Sequence, residues 1–354
     1  MIIILPIIVI IGLIITEAVL EKNNNSGGVR GYQLPEHARF KKLDISMNES
    51  YPFWNCVKDS SMVQKKSVRF EIDKDGYIAP SGIYSDADQR IFFVGDSTVE
   101  CALVDAEKRY SFLVGEQLSS ITNKKINTYN MGYSGLDTMG ALRLILMKAI
   151  PMHADVVIFS NAISELTSTL VGRESEVHNI DGFCKNTSII MRLKSVLFAL
   201  FPCTYLKLGG IKTHYDMQSK TDKCLCSVDE ENAFEKMRQK YLSVINLCKA
   251  NNVKLYLCTQ SSGFISNPND IRMKSLYDEF VQTDIEYESF ARMLSKTNQL
   301  IRLLAKENDI GLLDLEKNIP YNTDNIYDYI HYTDRGSVAV TDYIVNAIKD
   351  MYMV

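Results

Sequence analysis

Residues 90–100, RIFFVGDSTVE, constrain the fold more than any other stretch of the chain. Ile91, Phe92, Phe93 and Val94 form an unbroken β-branched and aromatic run, the pattern of a short strand covered on both faces. Gly95, Asp96 and Ser97 follow without a spacer, and the residues after them suit a helix. A small hydroxyl residue therefore sits on a tight turn at the carboxyl end of a buried strand, the edge where open α/β sheets gather reactive groups. A helix beginning just after Ser97 would aim free backbone N–H groups at whatever binds there. Taken alone, Gly-Asp-Ser reads equally well as an ordinary turn or N-cap.

The neighbouring segments supply a sheet for that strand. Strands are expected at 91–94, 126–130, 155–161, 253–259 and 311–315, and helices near 106–121, 138–149, 232–250, 285–308 and 334–350. The last but one repeats apolar residues at helical spacing through Met293, Leu294, Leu300, Ile301 and Leu304. Such alternation predicts parallel strands with right-handed crossovers, hence a three-layer α/β/α sandwich. With 46% hydrophobic and 23% charged residues over 354 positions there is ample material for its core. A net charge of −4 without a Lys/Arg block argues against a nucleic-acid partner.

Two segments stand outside this pattern. Residues 1–20 are apolar apart from Glu17 and about long enough to cross a bilayer as a helix. No basic region precedes the run and no small-x-small cleavage site stands out, which favours a retained transmembrane anchor over a cleaved signal peptide. Lys22, Arg30, Lys41 and Lys42 all follow the span, and the positive-inside tendency would draw them to the cytoplasm. The second segment is an insertion at about 167–231, too long for an ordinary connection. It reads either as a structural subdomain or as a lid or acceptor platform. The chain thus divides into an anchor at 1–20, a linker and N-terminal apron at 21–88, and a main domain at 89–354.

Eight cysteines permit disulfides without showing them. Cys101, Cys248 and Cys258 fall on expected core elements and act there as small hydrophobes. Cys184, Cys203, Cys224 and Cys226 cluster within the insertion and would staple it in an oxidising compartment. Cys224 and Cys226 lack a nearby His or Cys pair at zinc spacing, so no metal site is expected.

Four places converge on chemistry: Ser97, the run 130–135 (NMGYSG), Ser160-Asn161 at the end of DVVIFSN, and 328–331 (DYIH). All fall at expected carboxyl strand ends or in the loops beyond. A serine hydroxyl needs a base within hydrogen-bond reach, and His331 qualifies. Its other ring nitrogen needs holding, and the Asp328 carboxylate is three residues away. A developing oxyanion needs donors, which the N–H of Ser97, a glycine N–H and the Asn161 amide would supply. The competing readings are plain: the remaining histidines, His37, His153, His178 and His214, show that histidine alone is not diagnostic, and Asn161 or Asp328 would also serve as caps.

Together these motifs resemble the SGNH (GDSL-like) hydrolase superfamily over about 89–350: Ser97 in GDS, the glycine of NMGYSG, Asn161 in SNAISEL, and Asp328 with His331 in DYIH. The resemblance implies a flavodoxin-like parallel sheet of order 2-1-3-4-5, catalytic Ser97, Asp328 and His331, and an oxyanion hole of Ser97, Gly135 and Asn161. Between the two glycines of NMGYSG, the family pattern favours Gly135 over Gly132. The family's third motif, Gly-x-Asn-Asp, is altered here: Phe159 replaces the glycine and Ala162 the aspartate, which puts the supporting contacts of Asn161 in doubt. The implied activity is a serine esterase that hydrolyses a carboxylic ester, acetyl first, of an ester-bearing small molecule or acylated saccharide, with no cofactor. The anchor and the absent nucleic-acid signal point to a cell-envelope substrate, and the usual placement of such domains outside the membrane is preferred here over the positive-inside tendency. An O-acyltransferase would use the same residues with a sugar hydroxyl in place of water. A binding module that keeps the fold without activity is the third reading.

Overall fold

The computed structural model describes residues 41–47, 54–58, 60–171, 229–281, 283 and 285–352. The expected anchor at 1–20 and most of the expected insertion, with Cys184, Cys203, Cys224 and Cys226, lie outside the described residues. Among the described residues no helix is long and apolar enough to cross a membrane.

The 91–94 run forms the middle of β3, Gln89–Gly95, and all four side chains are fully buried. Successive strand residues point to opposite faces, and the packing divides accordingly. Ile91 and Phe93 join one apolar cluster, whereas Phe92 and Val94 join another on the far side of the sheet. Full burial of such side chains is worth about 1.5–3 kcal/mol each. Four of them in one strand therefore amount to about 10 kcal/mol of gross burial, as much as the whole net stability of a typical domain. This strand is fixed before any site chemistry is added.

Around it lie β4 (Ile126–Gly132), β5 (Val156–Ser160), β6 (Lys254–Cys258) and β7 (Gly311–Leu313), all parallel, in the order β4-β3-β5-β6-β7. Counted from β3, that is the expected order 2-1-3-4-5. The strands alternate with α1 (Ser97–Glu100), α2 (Tyr110–Thr122), α3 (Thr138–Leu144), α4 (Ala162–Val171), α5 (Glu230–Ala250), α6 (Ile271–Phe280), α7 (Tyr287–Asn308) and α8 (Asp334–Ile348). Val114 and Leu118 of α2 pack with Val340, Ile344 and Ile348 of α8 on one face. Ala141 and Leu144 of α3, Tyr241, Val244 and Ile245 of α5, and Ile301 and Leu304 of α7 cover the other. The three-layer α/β/α arrangement is thus present. Cys101, Cys248 and Cys258 are buried free thiols, as expected of small core hydrophobes, and Cys56 joins them.

Three features depart from the sequence reading. Helices α4 and α6 lie outside the expected helices; α6 follows no strand and lies in a polar stretch, although Asp270 caps it. The apron is also more ordered than its polarity suggests. It holds an antiparallel pair of strands, β1 (Lys41–Ser46) and β2 (Ser67–Ile72). Ile78 then bridges both Ile72 and Asn130 of edge strand β4. Arg109, 1% exposed, holds this apron to the main domain: its guanidinium donates to the carbonyls of Cys101, Ala79 and Arg69 and lies over the Phe70 ring. Lys65 does the same from the other side, donating to the Leu103 carbonyl, Asp105 and Asp334.

Candidate active site

The turn after β3 is built by backbone constraints. Gly95 lies so close to β5 that an added Cβ would stand 1.8 Å from the Ser160 carbonyl oxygen. Asp96 caps α1, its Oδ1 accepting from the backbone N–H of Thr98 at 3.0 Å and from the Thr98 hydroxyl at 2.8 Å. Ser97 is then the first helical residue, half-buried at the carboxyl edge of the sheet. Among the described residues no acceptor takes its backbone N–H.

The C-terminal loop meets it there. His331 Nε2 lies 2.7 Å from Ser97 Oγ, and His331 Nδ1 lies 2.6 Å from Asp328 Oδ2. With a carboxylate at Nδ1, the neutral ring carries its proton on that nitrogen, leaving Nε2 to accept from the serine hydroxyl. Asp328 is 3% exposed and His331 21%. The other Asp328 oxygen accepts the N–H groups of Ile330 and His331, both at 2.8 Å. The expected alternative role of Asp328 as a helix cap falls away, since Thr333 caps α8. Burial pulls the imidazole pKa down, but the Asp328 carboxylate, with Asp96 and Glu100 nearby, outweighs it. The net effect holds His331 above its ordinary value near 6.5.

The two glycines of NMGYSG separate cleanly. Gly132 ends β4, its N–H donates to Asn130 Oδ1 at 2.8 Å, and a Cβ there would stand 2.2 Å from the Glu100 nitrogen. Gly132 is therefore a packing glycine whose donor is already used. Gly135 has φ +79°, open space where a Cβ would be, and an N–H that no acceptor among the described residues takes. Ser134 beside it donates to the buried carboxylate of Glu100, which ties this loop to α1.

Asn161 follows β5 directly and is 1% exposed. Its carbonyl begins α4, yet its side chain does not cap that helix: Nδ2 donates to Thr138 Oγ1 at 3.1 Å, and Oδ1 accepts from Tyr241 OH at 2.9 Å. Phe159, the residue in place of the family glycine, is buried against the Tyr241 ring.

Several supporting residues carry no signal in the sequence. Arg272 of α6 donates to the carbonyls of Tyr327 and Cys56, and Tyr321 OH donates to the Asp328 carbonyl. Tyr327 stacks on the His331 ring at 5.6 Å, and Tyr329 stacks on Phe264 at 4.8 Å. None lies in a recognisable motif; only the crowding of tyrosines around DYIH hints that this loop is packed rather than free. Among the described residues no group of His, Cys, Asp or Glu could hold a metal ion.

No family model and no curated protein matches the chain. Among solved structures it is similar to the acetyl xylan esterase AlAXEase, with 18% identity and a TM-score of 0.41 over 73% of this chain and 99% of the other. It is also similar to the acetylxylan esterase Axe2 from Geobacillus stearothermophilus, at 11% identity and a TM-score of 0.45 over 74% of this chain and 94% of the other. A GDSL-like lipase from Bacteroides thetaiotaomicron aligns at 12% identity and 0.40, over 74% of this chain and 89% of that one. At such identities and scores the functional reading rests on the geometry of the site.

Proposed function

We propose that the chain is a serine ester hydrolase of the SGNH type, with Ser97 as nucleophile, His331 as general base and then acid, and Asp328 as the group that orients and stabilises the imidazole. The observation that carries this reading is the unbroken hydrogen-bonded series from Asp328 through His331 to Ser97, whose members lie 234 residues apart along the chain at the extremes of the imidazole–hydroxyl contact. It lies at the edge of a parallel sheet where reactive groups are expected.

In this reading Ser97 Oγ attacks the ester carbonyl carbon while His331 Nε2 takes its proton. The carbonyl π electrons move onto oxygen, and that anion accepts hydrogen bonds from the N–H groups of Ser97 and Gly135 and from the Asn161 amide. Collapse of the tetrahedral centre breaks the bond to the alcohol oxygen, which leaves with the proton from His331. Water then attacks the acyl-serine, His331 taking its proton, and the second collapse returns the hydroxyl to Ser97 and releases the carboxylic acid. In the same proposal residues 1–20 anchor the domain to a membrane, and an acetylated saccharide of the cell envelope is the substrate class to try first.

The test is turnover of short-chain aryl esters by the full-length protein, with labelling of Ser97 by a fluorophosphonate. Turnover and labelling that both vanish in Ser97→Ala support the proposal. A wild-type protein that neither hydrolyses these esters nor takes the label overturns it.

A further inference from the structure

The altered third motif leaves Asn161 without the family's usual neighbours, and the structure provides others. The Asn161 amide is bonded at both ends, by Tyr241 OH at Oδ1 and by Thr138 Oγ1 at Nδ2. Its nitrogen carries two hydrogens, of which Thr138 takes one, so one remains for an oxyanion. Thr138 is itself held, because its backbone N–H donates to Glu165 Oε2 at 2.8 Å. Glu165 has a fully buried side chain, and Lys240 pairs with its other oxygen at 2.9 Å. Lys240 and Tyr241 are consecutive on α5, so one short piece of that helix reaches both supports. Tyr241 is 2% exposed, and burial holds its phenol well above its ordinary pKa, so it stays a proton donor.

We propose that Tyr241 and Thr138 are positioning residues that aim the free N–H of Asn161 at the developing oxyanion, with the Glu165–Lys240 pair fixing Thr138. The inference rests on the ester-hydrolase reading above. An oxyanion donor acts through its placement rather than its mere presence. A phenol that reaches the far end of the amide controls that placement without touching substrate.

The experiment measures kcat and KM for an aryl acetate with full-length wild type, Asn161→Ala, Tyr241→Phe, Thr138→Val, Thr138→Ser and the double variant Asn161→Ala/Tyr241→Phe. Asn161→Ala is expected to lower kcat roughly 10²–10³-fold. Tyr241→Phe and Thr138→Val should each lower kcat roughly 10–100-fold with KM little changed, by analogy with other orienting partners. Thr138→Ser, which keeps the hydroxyl, should stay near wild type. In the Asn161→Ala background Tyr241→Phe should cost almost nothing further, because the group it positions is gone. Wild-type kcat in Tyr241→Phe and Thr138→Val overturns the inference, as does a Tyr241→Phe loss that multiplies in full with Asn161→Ala. If Tyr241→Phe does not fold, the Val and Ser variants at 138 decide the matter: equal kcat in the two overturns it. An active wild type with these outcomes sinks only this inference, whereas a wild type without turnover sinks the hydrolase reading as well.

Discussion

The turn that carries Ser97 and the loop that carries His331 meet at one hydrogen bond, yet they are held in place in different ways. The Ser97 turn is fixed from within its own sequence: four buried apolar residues, a glycine against the Ser160 carbonyl, and a cap supplied by the preceding residue. The His331 loop has no such strand behind it. Besides the Asp328 carboxylate on the Ile330 and His331 N–H groups, it is fixed by side chains from elsewhere, with Arg272 on the Tyr327 carbonyl, Tyr321 on the Asp328 carbonyl and Phe264 under the Tyr329 ring. In the proposed mechanism the nucleophile is thus placed by local backbone geometry, while its base depends on groups gathered by the tertiary fold. Damage to the two regions should consequently look different: lost folding on the Ser97 side, lost turnover first on the His331 side.

The largest expected effect is on the base loop. Asp328→Asn keeps the shape but no longer favours the tautomer with Nδ1 protonated, and should lower kcat roughly 10⁴-fold in steady-state assays. The folded structure should survive, as read by circular dichroism. On the Ser97 side Gly95→Ala should instead destabilise the protein by about 3 kcal/mol or more, because the new Cβ would meet the Ser160 backbone carbonyl, which cannot swing away. Denaturant unfolding checks it; a stability equal to wild type would break the distinction between the two regions.

Arg272→Met sharpens the comparison from outside the site. It removes donors from the Tyr327 and Cys56 carbonyls, and should cost about 1.5–3 kcal/mol in denaturant unfolding together with a measurable fall in kcat. The smallest effect is a shift in pH profile. In the proposed mechanism the base must be neutral to act, and the Asp328 carboxylate, outweighing burial, holds His331 above its ordinary value near 6.5. Activity should therefore fall as pH drops through a midpoint above 6.5. In the residual activity of Asp328→Asn the main upward influence is gone while burial remains, so the midpoint should move down. A wild-type midpoint below 6.5, or an unchanged one in the variant, would contradict this.

The same contrast explains what was readable in the sequence. The five strands and the positions of Ser97 and Asn161 were legible because each follows a local pattern, an apolar run and then a turn residue of the right type; Asp328 and His331 were legible from their spacing in DYIH, and the sheet order from the family resemblance. The choice between Gly132 and Gly135 was less so. What sets them apart is the bond from the Gly132 N–H to Asn130 Oδ1 and its close packing on Glu100, which spacing does not reveal. Tyr241, Glu165 and Arg272 were invisible for a related reason. Tyr241 reaches Asn161 across 80 positions, and Arg272 reaches Tyr327 across 55. Their roles exist only once the helices have packed, and nothing in their immediate neighbours marks them.

The most direct test of the central claim is rapid-quench peptide mapping after mixing the full-length protein with p-nitrophenyl acetate. The expected result is an acetyl adduct on Ser97 that forms within the first turnover and is absent in His331→Ala. An adduct on another residue, or turnover with no adduct at any time, would contradict the assignment of the hydroxyl, the imidazole and the chemistry between them.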